Sequence, residues 1–388
     1  MKLAIISLTE HLKDNDGSII GWGPTIREIN ELSGYFETII HIAPVVSEKG
    51  SIYSDSFTPY KANNITFIPL KPSGGSGLRN KLGILFKIPA NLLIIHTTLK
   101  QADWIQVRLP ASIGIYVLPY LSMVCSKPRW VKYAGNWVEK KPPLSYKFQR
   151  WWLKHNYQNS MVTVNGKWPE SGHHIIPFEN PCLNESDEEL ADKIRLQKKF
   201  NKKLTLLFVG RIEAEKGIFR VLDAIESIKD ASTIFSKLII VGNGKDEELL
   251  LKKTPSFSLT IEYIGGATRE DINKFYSEAH FFLLPSTASE GFPKVIAEAA
   301  RFGVIPIVSN VSSIAQYVNA SNGFVWDIEG KTDFKTFFSQ IPFGNSDDLA
   351  QKSKAAIEIG KLFTYRKYYE KLCKYIFNIT PLPDNSTL

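Results

Sequence analysis

The chain has 388 residues, enough for two domains of ordinary size. It is 44% hydrophobic and 22% charged, which is normal for a soluble globular protein, and no stretch approaches the roughly 20 apolar residues of a spanning helix. Its net charge of +8 favours anionic partners such as phosphates, nucleic acid or acidic lipid headgroups, while Cys125, Cys182 and Cys373 form no CxxC pair and no zinc spacing, so a reducing compartment is the default.

The N-terminal residues are too short and too soon polar for a signal peptide, and residues 3–7 read as a first strand. A loop carrying Gly17, Gly21, Trp22 and Gly23 follows, then a helix over 24–32. Glycines there would let a backbone approach a donor phosphate or an acceptor, or would simply make a flexible surface loop. Further strands are expected at 38–42, 65–68, 104–107, 130–133 and 161–164, a helix at 142–156, and loops at 47–61 and 72–80. Arg108 falls just past a strand end and is an acceptor-side candidate. The apolar run 112–125, broken by Pro119, reads as a buried or a surface-dipping helix. Near 177–184 the pattern ends and an acidic segment begins, which places a connection between domains there.

Residues 127–154 hold Lys127, Arg129, Lys132, Lys140, Lys141, Lys147, Arg150 and Lys154 against one acid, Glu139. Trp130, Tyr133, Trp137, Tyr146, Phe148, Trp151 and Trp152 interleave with them. Apolar rings with cationic rims suit an anionic membrane surface or a lipid-linked acceptor. The plainer reading makes Trp151 and Trp152 core residues and the lysines solvated. No recognised nucleic-acid motif accompanies the stretch, so no nucleic acid is expected as a partner.

The second half alternates strand and helix patterns. Strands are expected at 204–209, 237–241, 259–264, 280–284, 304–308 and 324–326, and helices at 218–228, 246–252, 269–277 and 294–302. This is the signature of βαβ units and a parallel sheet, which binds ligands at the carboxyl ends of its strands. Gly210 ends one strand, and a loop then carries Arg211 and Lys216, a guanidinium and an ammonium that suit a diphosphate. Gly242 and Gly244 follow another strand and make either a tight turn or a ligand approach; they lack the third glycine of a dinucleotide fingerprint. Glu290 lies in a loop after the strand 280–284, followed by Gly291, Phe292 and Pro293, and Glu298 lies on the second turn of the next helix. Both acids are expected to point toward one crevice beside a helix N-terminus that favours anions.

Taken together, Gly-Arg-x-x-x-x-Lys-Gly, Val-Gly-x-Gly, Ser-x-x-Ser-Glu-Gly-Phe-Pro-x-x-x-x-Glu-Ala and Gly-Val-Ile-Pro-Ile-Val-Ser resemble the retaining glycosyltransferases of family 4 (glycosyl transferases group 1) over about residues 204–325. The resemblance implies an α/β protein of the GT-B fold: two facing Rossmann-like domains with parallel sheets and a central cleft. The expected division is an acceptor domain at 1–182, a nucleotide-sugar donor domain at 183–361, a helix at 362–378 crossing back to the first domain, and a disordered tail at 379–388. Arg211 and Lys216 would grip the donor diphosphate, Glu298 the ribose and Glu290 the transferred sugar. Gly210, Gly242 and the amides of Gly291 and Phe292 would line the donor. Gly21, Gly23, Arg108 and Asn136 are further cleft candidates; Asn136 stands near the place where many members carry a histidine, and it cannot accept a proton as histidine does. Ser312-Ser313-Ile314-Ala315-Gln316 likewise departs from the family's usual Gly-Gly-x-Pro-Glu.

The activity that the resemblance implies is transfer of a hexose-like sugar, with retention, from a nucleoside-diphosphate sugar to a glycan acceptor, expected to be lipid-linked, in cell-surface polysaccharide assembly. No metal and no cofactor beyond the donor substrate is expected. The setting would be cytoplasmic, peripheral on the inner face of the plasma membrane. The alternatives are a non-catalytic nucleotide-sugar-binding subunit on the same fold and, more remotely, a nicotinamide-dependent oxidoreductase.

Overall fold

A computed structural model describes residues 1–46, 57–71, 78–169, 172–195, 198–254 and 257–381. The chain divides into two compact units: Met1–Glu179 with the segment from Tyr365 onward, and Asn180–Thr364. Parts of the expected loops, 47–56 and 72–77, and the tail 382–388 lie outside the described residues.

The first unit holds β1 (Lys2–Ile6), β2 (His11–Lys13), β3 (Ile19–Trp22), β4 (Thr38–Pro44), β5 (Phe57–Pro59), β6 (Ile65–Leu70), β7 (Trp104–Leu109), β8 (Arg129–Tyr133), β9 (Met161–Val164) and β10 (Ile175–Pro177). Seven of these form a parallel sheet in the order β10-β9-β8-β7-β1-β4-β6. Leu3 to Ile6 are buried throughout, as a strand covered on both faces requires. The expected glycine loop is instead ordered as β2 and β3, which join β5 in a small antiparallel sheet. Gly21 pairs with His11 across that hairpin, and a Cβ on Gly21 would lie 2.5 Å from the His11 ring. Its missing side chain therefore makes room for a histidine rather than for a ligand.

One helix departs from expectation and another is present as expected. The first spans Leu78–Leu99, so the segment expected to be loop as far as 80 already carries its first turn. The other, Gly114–Val124, continues through Pro119. Proline removes one backbone donor, but burial of Val117, Leu118 and Leu121 against the sheet holds the helix together. At the C-terminus, a helix over Tyr365–Leu372 runs into a π-helical turn, Cys373–Phe377. Tyr369 stacks on Tyr35 with ring centroids 3.9 Å apart, and Phe377 meets Trp104 and Trp130 edge-on. These aromatic contacts fix the segment onto the first unit's sheet.

The second unit holds β11 (Leu204–Val209), β12 (Phe235–Val241), β13 (Thr260–Gly265), β14 (Phe281–Leu284), β15 (Ile305–Ser309) and β16 (Phe324–Trp326), all parallel in the order β13-β12-β11-β14-β15-β16. β11, β14 and β15 are buried at every residue. Chain order reverses between β11 and β14. That is the topological switch point of a doubly wound sheet, where the loops leaving neighbouring strands part and leave room for a ligand.

Candidate active site

The loops leaving β11 and β14 flank this switch point. After β11 the chain passes through Gly210 and Arg211 into a 3₁₀ turn, Ala214–Lys216. Gly217 then adopts φ +92°, and a Cβ there would lie 2.3 Å from the carbonyl oxygen of Pro285. Only glycine allows so close an approach of the two loops. The Thr287 amide donates to the Glu215 carbonyl at 2.8 Å, and Ser286 Oγ donates to the same carbonyl at 3.3 Å. Stitched in this way, the loops bring Lys216 and Glu290 together: Lys216 Nζ lies 2.7 and 2.8 Å from the two carboxylate oxygens. Arg211 belongs to the same loop but pairs with Glu213, at 2.9 Å, and is about half exposed.

Glu298 is held elsewhere. It projects from the helix Lys294–Arg301, whose N-cap is Pro293, and is 8% exposed. Arg269 Nη1 lies 2.8 Å from Oε1, and the Tyr276 hydroxyl donates to Oε2 at 3.0 Å. Arg269 Nη2 also reaches Asp187 Oδ2 at 3.0 Å and the Cys182 carbonyl at 3.2 Å. Burial works against the Arg269 charge, but Glu298 and Asp187 raise its pKa well above the usual value. Burial, with Glu298 nearby, pushes the Tyr276 hydroxyl well up, so it stays a donor. Each glutamate thus has its own cation, and the two carboxylates have separate partner sets. The sequence reading missed Arg269 and Tyr276. One signal was available: Arg269 opens the helix Arg269–Glu278 behind the cap Thr268, where the helix dipole disfavours a cation. A cation there needs carboxylate partners from outside the helix.

The other expected donor-side residues are placed as follows. Gly242 has φ +128°, and a Cβ would lie 2.0 Å from the Gly210 carbonyl; a Cβ on Gly244 would lie 2.3 Å from that of Ile212. Both glycines serve backbone packing between the β11 and β12 loops, which is the tight-turn alternative. Gly291 accepts from Ser313 Oγ at 3.2 Å, so one of the departing serines supports the glutamate loop. The Phe292 ring is buried, stacked on Phe363 at 4.5 Å and edge-on to Tyr317.

In the first unit, Arg108 is not an open acceptor contact. It is 14% exposed and forks on Glu28, with Nη1–Oε1 at 2.8 Å and Nη2–Oε2 at 3.3 Å, and Lys132 binds the same carboxylate. Gly23 is buried at the start of the helix Gly23–Leu32. Asn136 accepts from the Val138 amide at 3.1 Å. The basic stretch is only partly a charged surface. Lys127 and Arg129 bind backbone carbonyls, Lys132 is buried, and Arg150 donates to the carbonyls of Trp137 and Glu139. Trp130, Tyr133 and Trp137 are core, Trp152 packs partly against it, and Trp151 is 46% exposed.

Among the described residues no helix is long and apolar enough to cross a membrane, and no group of three or more His, Cys, Asp or Glu is placed to hold a metal ion.

Residues 191–336 match the family Glycosyl transferases group 1. The chain is 31% identical over 165 residues to TuaC of Bacillus subtilis, a protein named for teichuronic acid biosynthesis; the match covers 40% of this chain and 39% of TuaC. It is 27% identical over 148 residues to a Campylobacter jejuni enzyme named as an α-1,4-N-acetyl-D-galactosaminyltransferase acting on an undecaprenol-diphosphate-linked glycan, covering 38% of this chain and 37% of that one. The chain thus spans about two fifths of the length of these relatives. Anabaena HepE, solved with UDP, has the same fold: TM-score 0.70 at 13% identity, covering 98% of this chain and all of that one. Residues 191–336 are thus similar to the glycosyl transferases group 1, and the chain's two Rossmann-like units have the GT-B fold.

Proposed function

We propose that the protein is a retaining glycosyltransferase that moves a hexose-like sugar from a nucleoside-diphosphate sugar to a glycan acceptor in cell-surface polysaccharide assembly. The observation that carries this reading is the Lys216–Glu290 pair across the two loops of the switch point. In the proposed reaction the bond from the anomeric carbon to the diphosphate breaks, and the acceptor oxygen bonds to that carbon on the same face. The departing diphosphate takes the electron pair and helps to accept the acceptor's proton. Lys216, Arg211 and the N-terminus of Lys294–Arg301 would stabilise the growing negative charge, while Glu290 would hold hydroxyls of the sugar and Glu298 those of the ribose.

A lipid-linked acceptor is proposed because the Campylobacter relative is named for one, and a uridine nucleotide because HepE was solved with UDP. Exposed Leu144 and Trp151 on the helix Leu144–Lys154, beside Lys140, Lys141 and Lys147, support docking on the anionic inner face of a membrane.

The direct test is a thermal-shift panel of UDP-, GDP-, ADP- and dTDP-sugars, followed by an assay for nucleotide release. Stabilisation by one base class, together with donor turnover, supports the enzyme. Stabilisation without turnover at any acceptor would favour the non-catalytic binding subunit.

A further inference from the structure

We propose that Arg269 and Tyr276 are positioning residues for ribose recognition, acting through Glu298. The proposal rests on the reading of Glu298 as the ribose ligand. A carboxylate has about four acceptor positions, two on each oxygen. In this structure each oxygen has a side-chain partner: Oε1 faces Arg269 Nη1 in an ion pair at 2.8 Å, and Oε2 accepts from the Tyr276 hydroxyl at 3.0 Å. The two partners come from different turns of one helix, Arg269–Glu278, and hold the carboxylate from two sides, one by charge and one by a hydrogen bond. Among the described residues each oxygen has one such partner, which leaves acceptor capacity on both oxygens for the two adjacent hydroxyls of a ribose.

Arg269 is itself fixed. Its Nη2 is shared between Asp187 Oδ2 at 3.0 Å and the Cys182 carbonyl at 3.2 Å, and Asp187 in turn accepts from Asn273 Nδ2 at 2.9 Å. Asp187 is also tied back to Asn184, whose amide donates to Oδ2 at 3.3 Å and whose Oδ1 accepts from the Asp187 amide at 3.0 Å. The guanidinium therefore cannot swing away from Glu298 without breaking bonds on its other side. A lysine could not reproduce this, because a single ammonium lacks the planar fork that spans two carboxylates.

The test compares UDP with 2′,3′-dideoxy-UDP by calorimetry in wild type, Glu298→Ala, Arg269→Lys and Tyr276→Phe. Wild type is expected to prefer UDP by about tenfold or more, the scale of a charge-assisted hydrogen bond. Glu298→Ala should abolish the preference. Arg269→Lys should cut it to about threefold or less, Tyr276→Phe should reduce it by a smaller factor, and both should bind dideoxy-UDP as wild type does. Full preference in both Arg269→Lys and Tyr276→Phe, with loss only in Glu298→Ala, overturns the positioning role and leaves the ribose reading intact. Full preference in Glu298→Ala overturns the ribose reading, and the positioning role falls with it. An equal loss of affinity for both nucleotides would mark Arg269 as structural only. If Arg269→Lys fails to fold, Tyr276→Phe decides, because it removes one hydroxyl and keeps the packed ring.

Discussion

Lys216 holds Glu290 by both carboxylate oxygens, at 2.7 and 2.8 Å, so the ammonium proposed to grip the donor diphosphate is paired with a carboxylate in this structure. On the proposed reading a donor would compete with Glu290 for Lys216. Glu290→Gln weakens that competitor and leaves a side chain of similar shape. The variant is expected to bind UDP as tightly as wild type or several-fold tighter, while sugar transfer falls by about a hundredfold or more. Calorimetry with UDP and a transfer assay check the two halves separately. Weaker UDP binding in Glu290→Gln would show that the pair does not mask the diphosphate site.

Removing the cations should have the opposite signature. Lys216→Ala is expected to cost about 1.5–3 kcal/mol of UDP affinity, the range for a hydrogen bond to a charged group. Arg211→Ala should cost less in binding, because its guanidinium is half exposed and shared with Glu213. Both should lose more UDP than uridine affinity, since uridine lacks the phosphates. Equal losses for UDP and uridine would remove both residues from the diphosphate site.

Much of this arrangement is legible in the sequence because its causes are local. Strands such as Leu204–Val209 and Ile305–Ser309 are buried on both faces and read as unbroken apolar runs. Gly217 and Pro293 mark the loop-to-helix joints around the switch point. The hairpin of His11–Lys13 and Ile19–Trp22 is not legible, because its strands are three and four residues long and Gly17 and Gly21 look like punctuation for a loop. The helix Leu78–Leu99 escapes notice for another reason: apolar residues follow one another without a clear polar face. Long-range pairing is the least legible of all. Arg108 beside a strand end looks like a ligand contact until Glu28, 80 positions away, is seen to fill its fork.

The aromatic, basic helix Leu144–Lys154 offers a membrane test that the structure refines. Arg150 is engaged with the carbonyls of Trp137 and Glu139, so its replacement would disturb the fold rather than report on a membrane. Lys140→Gln, Lys141→Gln and Lys147→Gln together should weaken salt-sensitive binding to anionic vesicles, about 1 kcal/mol for each lysine near the surface. Leu144→Ser with Trp151→Ser should weaken the salt-insensitive part, because Leu144 is 84% exposed and Trp151 is 46% exposed. Unchanged vesicle sedimentation in both variants would end the membrane proposal.

Stability should fall in mild acid. Burial lowers the His11 pKa to about 4, and burial together with His11 and Arg108 holds His41 well below its ordinary range. Neutral rings permit one proton arrangement. His11 Nδ1 donates to the Thr9 carbonyl, the Tyr60 hydroxyl donates to His11 Nε2, His41 Nδ1 donates to the Tyr60 oxygen, and Ser7 Oγ donates to His41 Nε2. The folded pKa values lie below the unfolded value of about 6.5, so the unfolded state takes up protons first as pH falls. Their contribution is complete above about pH 6.5 and is lost as pH drops from there toward 4. His11 alone should account for roughly 2 kcal/mol between pH 7 and pH 5. Urea unfolding at those two pH values checks this, and a midpoint that does not move would contradict it. His280, lowered to about 4 chiefly by burial, adds the same trend in the second unit.

Glu28 is the residue whose loss should most damage the first unit. It is fully buried, and its carboxylate faces two cations, Arg108 and Lys132. The Lys132 ammonium also lies 4.6 Å from the ring centre of Tyr368, on the C-terminal helix Tyr365–Leu372. Glu28→Gln keeps the volume but removes the only negative charge in this trio, leaving the buried Lys132 and the largely covered Arg108 against a neutral amide. The expected loss is about 3–5 kcal/mol, the scale for breaking a buried ion pair from one side. Replacing Glu28, Arg108 and Lys132 together by methionine removes the desolvation cost along with the attraction. That triple variant should be more stable than Glu28→Gln despite its three substitutions. Denaturant unfolding with matched m-values decides the comparison, and a triple variant less stable than Glu28→Gln would show that the charges contribute more than they cost to bury.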